Sequence, residues 1–300
     1  MKLLAAFCVL AITIPVAAFS QMERAKNSDI LVSTDWLAKH LNDDNLVVIH
    51  VNWSRGSYKR SHIPGARFLW IPAFAKDTPD RNTELPSVEE ATTVLKDLGI
   101  NKDSRIVIYF VGQNVTLTTR MLLTLTYLGV DHVAMLDGGF DAWKNEGRPV
   151  TNEIPNVKPG TLVPVLHPEV VTDADWLLKH LSDPGVTIID ARARRYYDGS
   201  EGGGVGGEFK GHIPHSVSIP YSSLADSTNH LLDPTALRKA FETAGVKPGS
   251  QVVTYCHVGQ QATFVYFVAR YLGYDAKLYD GSFEDWSDRG LPVENPSEKK

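Results

Sequence analysis

Short runs of β-branched and aromatic residues alternate along the chain with stretches whose apolar side chains return every three or four positions. The runs at 46–49, 105–110, 186–189 and 250–255 have the composition of buried strands. Residues 262–272 (Ala-Thr-Phe-Val-Tyr-Phe-Val-Ala-Arg-Tyr-Leu) carry apolar side chains at helical spacing and stop at Gly273, which predicts a helix ended by a glycine. Residues 33–41 and 172–181 each begin with Ser or Thr followed by Asp and then a helical pattern, the signature of an N-capped helix. Strands alternating with amphipathic helices predict a mostly parallel sheet with helices on both faces.

The pattern occurs twice. Ser33-Thr34-Asp35-Trp36-Leu37 is echoed by Asp173-Ala174-Asp175-Trp176-Leu177, and Ser61-His62-Ile63-Pro64-Gly65 by Gly211-His212-Ile213-Pro214-His215. Asp137-Gly138-Gly139-Phe140-Asp141-Ala142-Trp143 is echoed by Asp280-Gly281-Ser282-Phe283-Glu284-Asp285-Trp286. Both copies close with Gly-x-Pro-Val, at 147–150 and 290–293. Residues 151–168 hold five prolines or glycines with little periodicity, as a linker would. The expected organisation is an α/β domain over 28–150, a linker over 151–168 and a second α/β domain over 169–296.

Composition narrows the function class. Three hundred residues with 43% hydrophobic and 22% charged side chains fit two soluble globular domains. The net charge of −5, without a long Lys/Arg run, argues against nucleic acid or an anionic membrane as partner. The first twenty residues stand apart. A short positive start at Met1-Lys2, an apolar run over 3–18 and small residues at Ala18 and Ser20 predict a signal peptide (1–20) cleaved near Ser20, the competing reading being an N-terminal anchor. The expected location is therefore export, to the periplasm in preference to full secretion, with no membrane attachment after cleavage.

The chain has two cysteines, Cys8 in this leader and Cys256. Once the leader is removed no intramolecular disulfide is possible, so Cys256 is either a buried packing residue or a working thiol. It opens the loop 256–261, between a predicted strand and a predicted helix, and this favours use. Such a loop turns backbone N–H groups inward beside the positive end of a helix, and a thiol held there should fall below its free pKa of ~8.5. The loop residues His257, Val258, Gly259, Gln260, Gln261 and Ala262 are the candidate anion-binding ring around Cys256.

The repeat supplies an internal control. Matching 105–110 to 251–256 sets Phe110 opposite Cys256, and the first copy's loop reads about two residues longer. Asp190-Ala191-Arg192 is matched by His50-Val51-Asn52. The first copy lacks the thiol and the acid–arginine pair together, which points to one working and one supporting domain.

These residues resemble the rhodanese family, specifically its tandem two-domain sulfurtransferases. The marks are Tyr58-x-x-x-His62-Ile63-Pro64-Gly65-Ala66, Gly211-His212-Ile213-Pro214, the Cys256 loop followed by a helix, and the two Asp-Gly-(Gly/Ser)-Phe-x-x-Trp closures. The resemblance implies two tandem rhodanese-like domains, an inactive first domain, a catalytic second domain and a site near their interface. It also implies transfer of a sulfane sulfur through a persulfide on Cys256, without metal or organic cofactor, between a small-molecule donor and a thiophilic acceptor such as cyanide or a thiol. Thiosulfate is the expected donor. The alternatives are 3-mercaptopyruvate as donor, and a persulfide carrier or sulfide-binding module that hands sulfur to an acceptor protein without fast turnover.

The family's animal members that use thiosulfate carry basic residues just after the cysteine and those that use mercaptopyruvate carry small ones, Gly and Ser; His257 and Val258 match neither. His257 is read either as a group that bonds a sulfonate or titrates near neutral pH, or as an exposed loop side chain. Arg192 is the expected substrate-binding cation, with Arg194 and Arg195 as auxiliaries. Tyr196 stands where relatives commonly have a further Arg. Asp190 is expected to orient Arg192 or brace the loop, or to cap a turn. The glycine-rich stretch 202–207 reads as a flexible loop near the cleft. His212, His215, His257 and Cys256 match no usual zinc spacing, so no metal site is expected.

Overall fold

A computed structural model describes residues 27–299 except 79–82, 131 and 205–206. The leader and Cys8 lie outside the described residues. The first repeat runs β1 (Leu31–Val32), α1 (Thr34–His40), β2 (Leu46–Asn52), α2 (Arg55–Arg60), β3 (Arg67–Trp70), α3 (Val88–Asp97), β4 (Arg105–Tyr109), α4 (Val115–Tyr127), β5 (Val133–Leu136) and α5 (Gly139–Asn145). The second runs β6 (Val171–Thr172), α6 (Ala174–Lys179), β7 (Val186–Asp190), α7 (Arg194–Tyr197), β8 (Val217–Ser218), α8 (Pro234–Thr243), β9 (Gln251–Tyr255), α9 (Ala262–Leu272), β10 (Asp275–Tyr279) and α10 (Ser282–Asp288). Strand order is β1-β5-β4-β2-β3 in one sheet and β6-β10-β9-β7-β8 in the other. Every pair in both is parallel.

The pleat explains the layering. Along β2, Leu46 and Val48 face one way, into a core with Leu37 of α1 and Trp143 of α5. Val47, Ile49 and Val51 face the other way. The second sheet repeats this, with Leu177 of α6 and Trp286 of α10 on one face. The remaining faces of both sheets share one continuous apolar cluster that takes in α3, α4, α8 and α9. Two helices are therefore sandwiched between domains: residues 115–125 of α4 are all buried, and α9 is buried over 262–269. A helix hidden on nearly every side can tolerate apolar residues all round, which is what α9 has.

Internal symmetry extends to hydrogen bonds. Tyr109 and Tyr255 end equivalent strands, and their hydroxyls accept the N–H of Ile63 at 3.3 Å and Ile213 at 3.1 Å. Trp143 and Trp286 donate to the carbonyls of Pro149 and Pro292, each at 2.7 Å, folding the Gly-x-Pro-Val segments back onto the core. His62 stacks on Tyr58 at 4.0 Å and His212 on Tyr197 at 3.8 Å. His215 occupies the turn position of Gly65 and takes the same left-handed conformation, φ 63° against 75°.

One expected difference between the copies is reversed. The β4–α4 loop spans five residues (110–114) and the β9–α9 loop six (256–261), so the first copy's loop is shorter. Helix α4 forms from Val115 despite its threonine-rich sequence, with residues 115–125 buried. The segment 151–168 lies along the first domain: Gly160 N donates to Lys96 O at 2.8 Å and His167 N to Tyr127 O at 2.8 Å. Gly160 passes so close to the Ile100 backbone that a Cβ would collide.

Candidate active site

Cys256 directly follows β9, at the carboxyl end of a central strand, where parallel α/β sheets place their binding crevices. The residue is 1% exposed, so burial and a loop position coincide. Its N–H donates to Ser282 Oγ at 3.1 Å, and its carbonyl accepts from Phe283 N at 3.0 Å. Phe110 is its spatial counterpart, since Phe110 O accepts from Phe140 N at 2.8 Å. The aromatic ring fills in the first domain the position that the thiol holds in the second.

The N–H groups of His257, Val258, Gly259, Gln260, Gln261 and Ala262 make no hydrogen bond to another described residue. The loop's carbonyls, by contrast, are engaged: Val258 O accepts from Thr83 Oγ1 at 2.6 Å, and Gly259 O from Arg120 Nη1 at 3.3 Å. Gly259 takes φ 76°, and a Cβ there would lie 2.5 Å from Asp280 O, so only glycine fits this bend. The loop enters α9 without a side-chain cap, and Thr254 Oγ1 donates to Ala262 O at 3.1 Å, tying the helix start to the strand. Six N–H groups at a helix start without a partner among the described residues suit an anion.

Asp190 and Arg192 are both 0% exposed and form a two-pronged ion pair, Nη2–Oδ2 2.6 Å and Nε–Oδ1 3.0 Å. Arg192 Nη2 also donates to Gly211 O at 2.7 Å, and the guanidinium lies 4.1 Å from the Phe283 ring centre. Burial works against this charge, but Asp190 outweighs it and holds the Arg192 pKa above the usual arginine value, with Tyr255 and Cys256 adding to the effect. Asp190 thus orients Arg192, and Asp190 Oδ1 also accepts Arg192 N at 2.9 Å as a turn cap. For Arg192, the expected substrate-binding cation, the structure shows a charge paired with Asp190 and an Nη1 that is buried without a partner among the described residues.

Arg194 and Arg195 are both exposed, Arg194 lying over the Tyr197 ring at 5.1 Å; Arg195 is the one beside Tyr196. It pairs with Glu201 at 2.6 Å and lies over the Tyr196 ring at 4.7 Å. His257 packs edge-on against Tyr196 at 4.7 Å, and a Cβ on Gly203 would sit 2.6 Å from its Nδ1. Burial, then the Arg192 charge, lowers the His257 pKa to about 4, so the ring is neutral at neutral pH. Neither a group titrating near neutral pH nor an exposed side chain describes it. At the edge of the glycine-rich stretch, Gly203 and Phe209 exchange both backbone hydrogen bonds, at 2.8 and 3.0 Å. Residues 205 and 206 lie outside the described residues. His212 Nδ1 is bonded to Tyr197 O at 2.7 Å. No group of three or more His, Cys, Asp or Glu side chains is gathered as metal ligands among the described residues.

A profile of the Rhodanese-like domain matches residues 33–146 and again 173–289. The chain belongs to the rhodanese-like family. Its relatives in the family include a sulfur carrier protein, TtuD, of Thermus thermophilus, 29% identical over 88% of this chain and 96% of that protein. The thiosulfate sulfurtransferase of Rattus norvegicus is 28% identical over 90% and 96%. Thiosulfate/3-mercaptopyruvate sulfurtransferase 2 of Arabidopsis thaliana is 27% identical over 88% and 86%. Among solved structures, wild-type EanB superposes with a TM-score of 0.80 at 21% identity, covering 91% of this chain and 70% of that one, a likeness of fold. The family relation supports a rhodanese-type sulfurtransferase.

Sequence reasoning passed over Ser282, Thr83 and Arg120. Ser282 was visible as the one change between Asp137-Gly138-Gly139 and Asp280-Gly281-Ser282. Thr83 and Arg120 carry no local signal, because their partners lie 175 and 139 residues away.

Proposed function

We propose that the protein moves a sulfane sulfur from thiosulfate to a thiophilic acceptor through a persulfide on Cys256, with the second domain (169–296) catalytic and the first (28–150) supporting it. The observation that carries this reading is Cys256 at the head of a loop whose six following N–H groups have no described protein acceptor. The Cys256 thiolate attacks the outer sulfur of thiosulfate. A Cys–S–S bond forms, the S–S bond of thiosulfate breaks and sulfite leaves with its electron pair. Cyanide or a thiolate then attacks the outer sulfur of the persulfide, the Cys–S–S bond breaks and the thiolate returns. Both enzyme states carry one negative charge, so one ring of N–H groups stabilises each of them. Neither step changes the number of protons, and neither calls for a metal.

The donor's sulfonate end would meet Arg195 at the rim, where Glu201 already shares its charge. With 3-mercaptopyruvate as donor, the sulfur would leave carbon and the proton of its thiol would pass to the methyl group of the pyruvate formed. A second reading, a persulfide carrier for an acceptor protein, is favoured by the neutral state of His257 and the compensated charge of Arg192, which leave little cationic pull for fast thiosulfate turnover. Export, with cleavage near Ser20, is part of the proposal and is checked by the N-terminus of the protein recovered from the medium or periplasm.

Thiocyanate production from cyanide, with thiosulfate and 3-mercaptopyruvate compared and Cys256→Ser as control, tests the reading. Turnover with thiosulfate that vanishes in the variant is the expected result. Preference for 3-mercaptopyruvate overturns the donor. No turnover with either, from protein that accepts one sulfane sulfur on Cys256, replaces the enzyme by the carrier.

A further inference from the structure

The supporting domain does more at the Cys256 loop than pack against it. Arg120, in the middle of α4, is 1% exposed and crosses the interface with its guanidinium. Nη1 donates to Gly259 O at 3.3 Å and also pairs with Asp280, and Nη2 donates to Thr83 O. Thr83 in turn donates its hydroxyl to Val258 O at 2.6 Å. Thr83 holds this position at φ 59°, a left-handed conformation that is unfavourable for a β-branched residue. Two consecutive carbonyls of the loop are therefore gripped by one first-domain network.

A trans peptide points its C=O and the following N–H in opposite directions. Fixing Val258 O toward the first domain turns the N–H of Gly259 away from it, and fixing Gly259 O does the same for the N–H of Gln260. Those N–H groups belong to the set without a described protein acceptor. We propose that Arg120, with Thr83, is a positioning residue that sets the direction of the Gly259 and Gln260 N–H groups and so pre-orients the anion ring for the sulfur of Cys256. The sixth residue of the equivalent helix α9 is Phe267, wholly buried. The cation therefore sits in the repeat that lacks the thiol and serves the one that has it. A buried guanidinium is costly to desolvate, and Asp280 offsets that cost beside Gly259, with Asp280 Oδ1 2.9 Å from where a Gly259 Cβ would be.

This inference rests on the persulfide reading, and the test separates the two. In a Cys8→Ser background, iodoacetamide alkylation of Cys256 is followed against pH for the parent, Arg120→Lys and Thr83→Val, together with sulfur transfer to cyanide. Lysine keeps a charge for Asp280 but lacks the fork that also reaches the carbonyls. The expected result is a higher midpoint of the alkylation profile in both variants, with about tenfold slower alkylation at pH 7 for Arg120→Lys and a smaller loss for Thr83→Val. Sulfur transfer is expected to fall through kcat with KM nearly unchanged. Parent-like profiles and rates in folded Arg120→Lys overturn the proposal. If Arg120→Lys does not fold, Thr83→Val decides alone: a raised midpoint supports the clamp and a parent-like one overturns it. Absence of sulfur transfer to cyanide in the parent would sink the enzyme reading while the alkylation profiles still judge the clamp.

Discussion

Ser282 Oγ accepts the backbone N–H of Cys256 at 3.1 Å while donating its own proton to Tyr279 O at 2.9 Å. Ser282 does this from φ 55°, in the left-handed region, where the matching residue of the first domain is Gly139 at φ 60°. The hydroxyl occurs only in the repeat that has the thiol.

Ser282→Ala should remove both bonds and leave the buried Cys256 N–H unpaired, costing about 1–3 kcal/mol. Ser282→Gly loses the same bonds but relieves roughly 1 kcal/mol of backbone strain, so it should be the more stable of the two. Urea melts of both variants check the order. Equal or reversed stability would mean that the left-handed conformation at this position stores no strain for glycine to relieve.

The Asp190–Arg192 pair is a buried charge pair, so breaking it from one side is expected to be worse than removing it altogether. Asp190→Asn alone should cost about 3–5 kcal/mol. The double variant Asp190→His/Arg192→Asn, which installs the first domain's own pair of residues, should recover much of that loss. Thermal melts test the recovery. Sulfur transfer measured on the same proteins shows whether the orphaned Arg192 Nη1 serves the donor: activity should stay low in the double variant.

His50 is wholly buried among Tyr58, Phe68, Tyr109 and Phe140, and burial, then the His62 charge, lowers its pKa to about 4. Its unfolded value is near 6.5, so between pH 6.5 and 4 the unfolded chain binds a proton that the folded chain does not. Stability is complete above pH 6.5 and is lost as pH falls through that window, by up to about 3 kcal/mol from this residue. His50→Gln should flatten the pH dependence of the urea midpoint between pH 7 and pH 4. An unchanged slope would place the acid sensitivity elsewhere.

The neutral state of His257 predicts that sulfur transfer has no inflection near pH 6.5 arising from this ring. His257→Gln, uncharged at every pH, should leave the shape of the rate profile from pH 6 to 8 as it is. Loss of an inflection in the variant would show that the imidazole carries a proton in the working enzyme.

At Gly259, a methyl group meets the Asp280 carbonyl at 2.5 Å and the backbone holds φ 76°. Gly259→Ala should cost at least about 1 kcal/mol and slow sulfur transfer more than tenfold, because the bend that turns the N–H groups inward has to open. Parallel stability and rate measurements separate the two effects.

What the sequence determined by itself was whatever depends on neighbours along the chain. The period-2 and helical patterns placed β9 and α9, and Gly273 at φ 90° ends the helix where the pattern stops. The repeat showed that there are two sheets of one design and that Phe110 stands where Cys256 does. Contacts between distant segments were decided only by the tertiary structure. In sequence Arg192 is a cation just after a strand, and only the fold closes Gly211, Phe283 and Asp190 around it; His257 is a loop ring of open role until Tyr196 and Gly203 desolvate it. Arg120 and Thr83 lie in a repeat without a thiol, and nothing near them in sequence signals a role. Burial and electrostatics depend on everything within a few ångströms, and most of that arrives from elsewhere in the chain when the two domains close around α4 and α9.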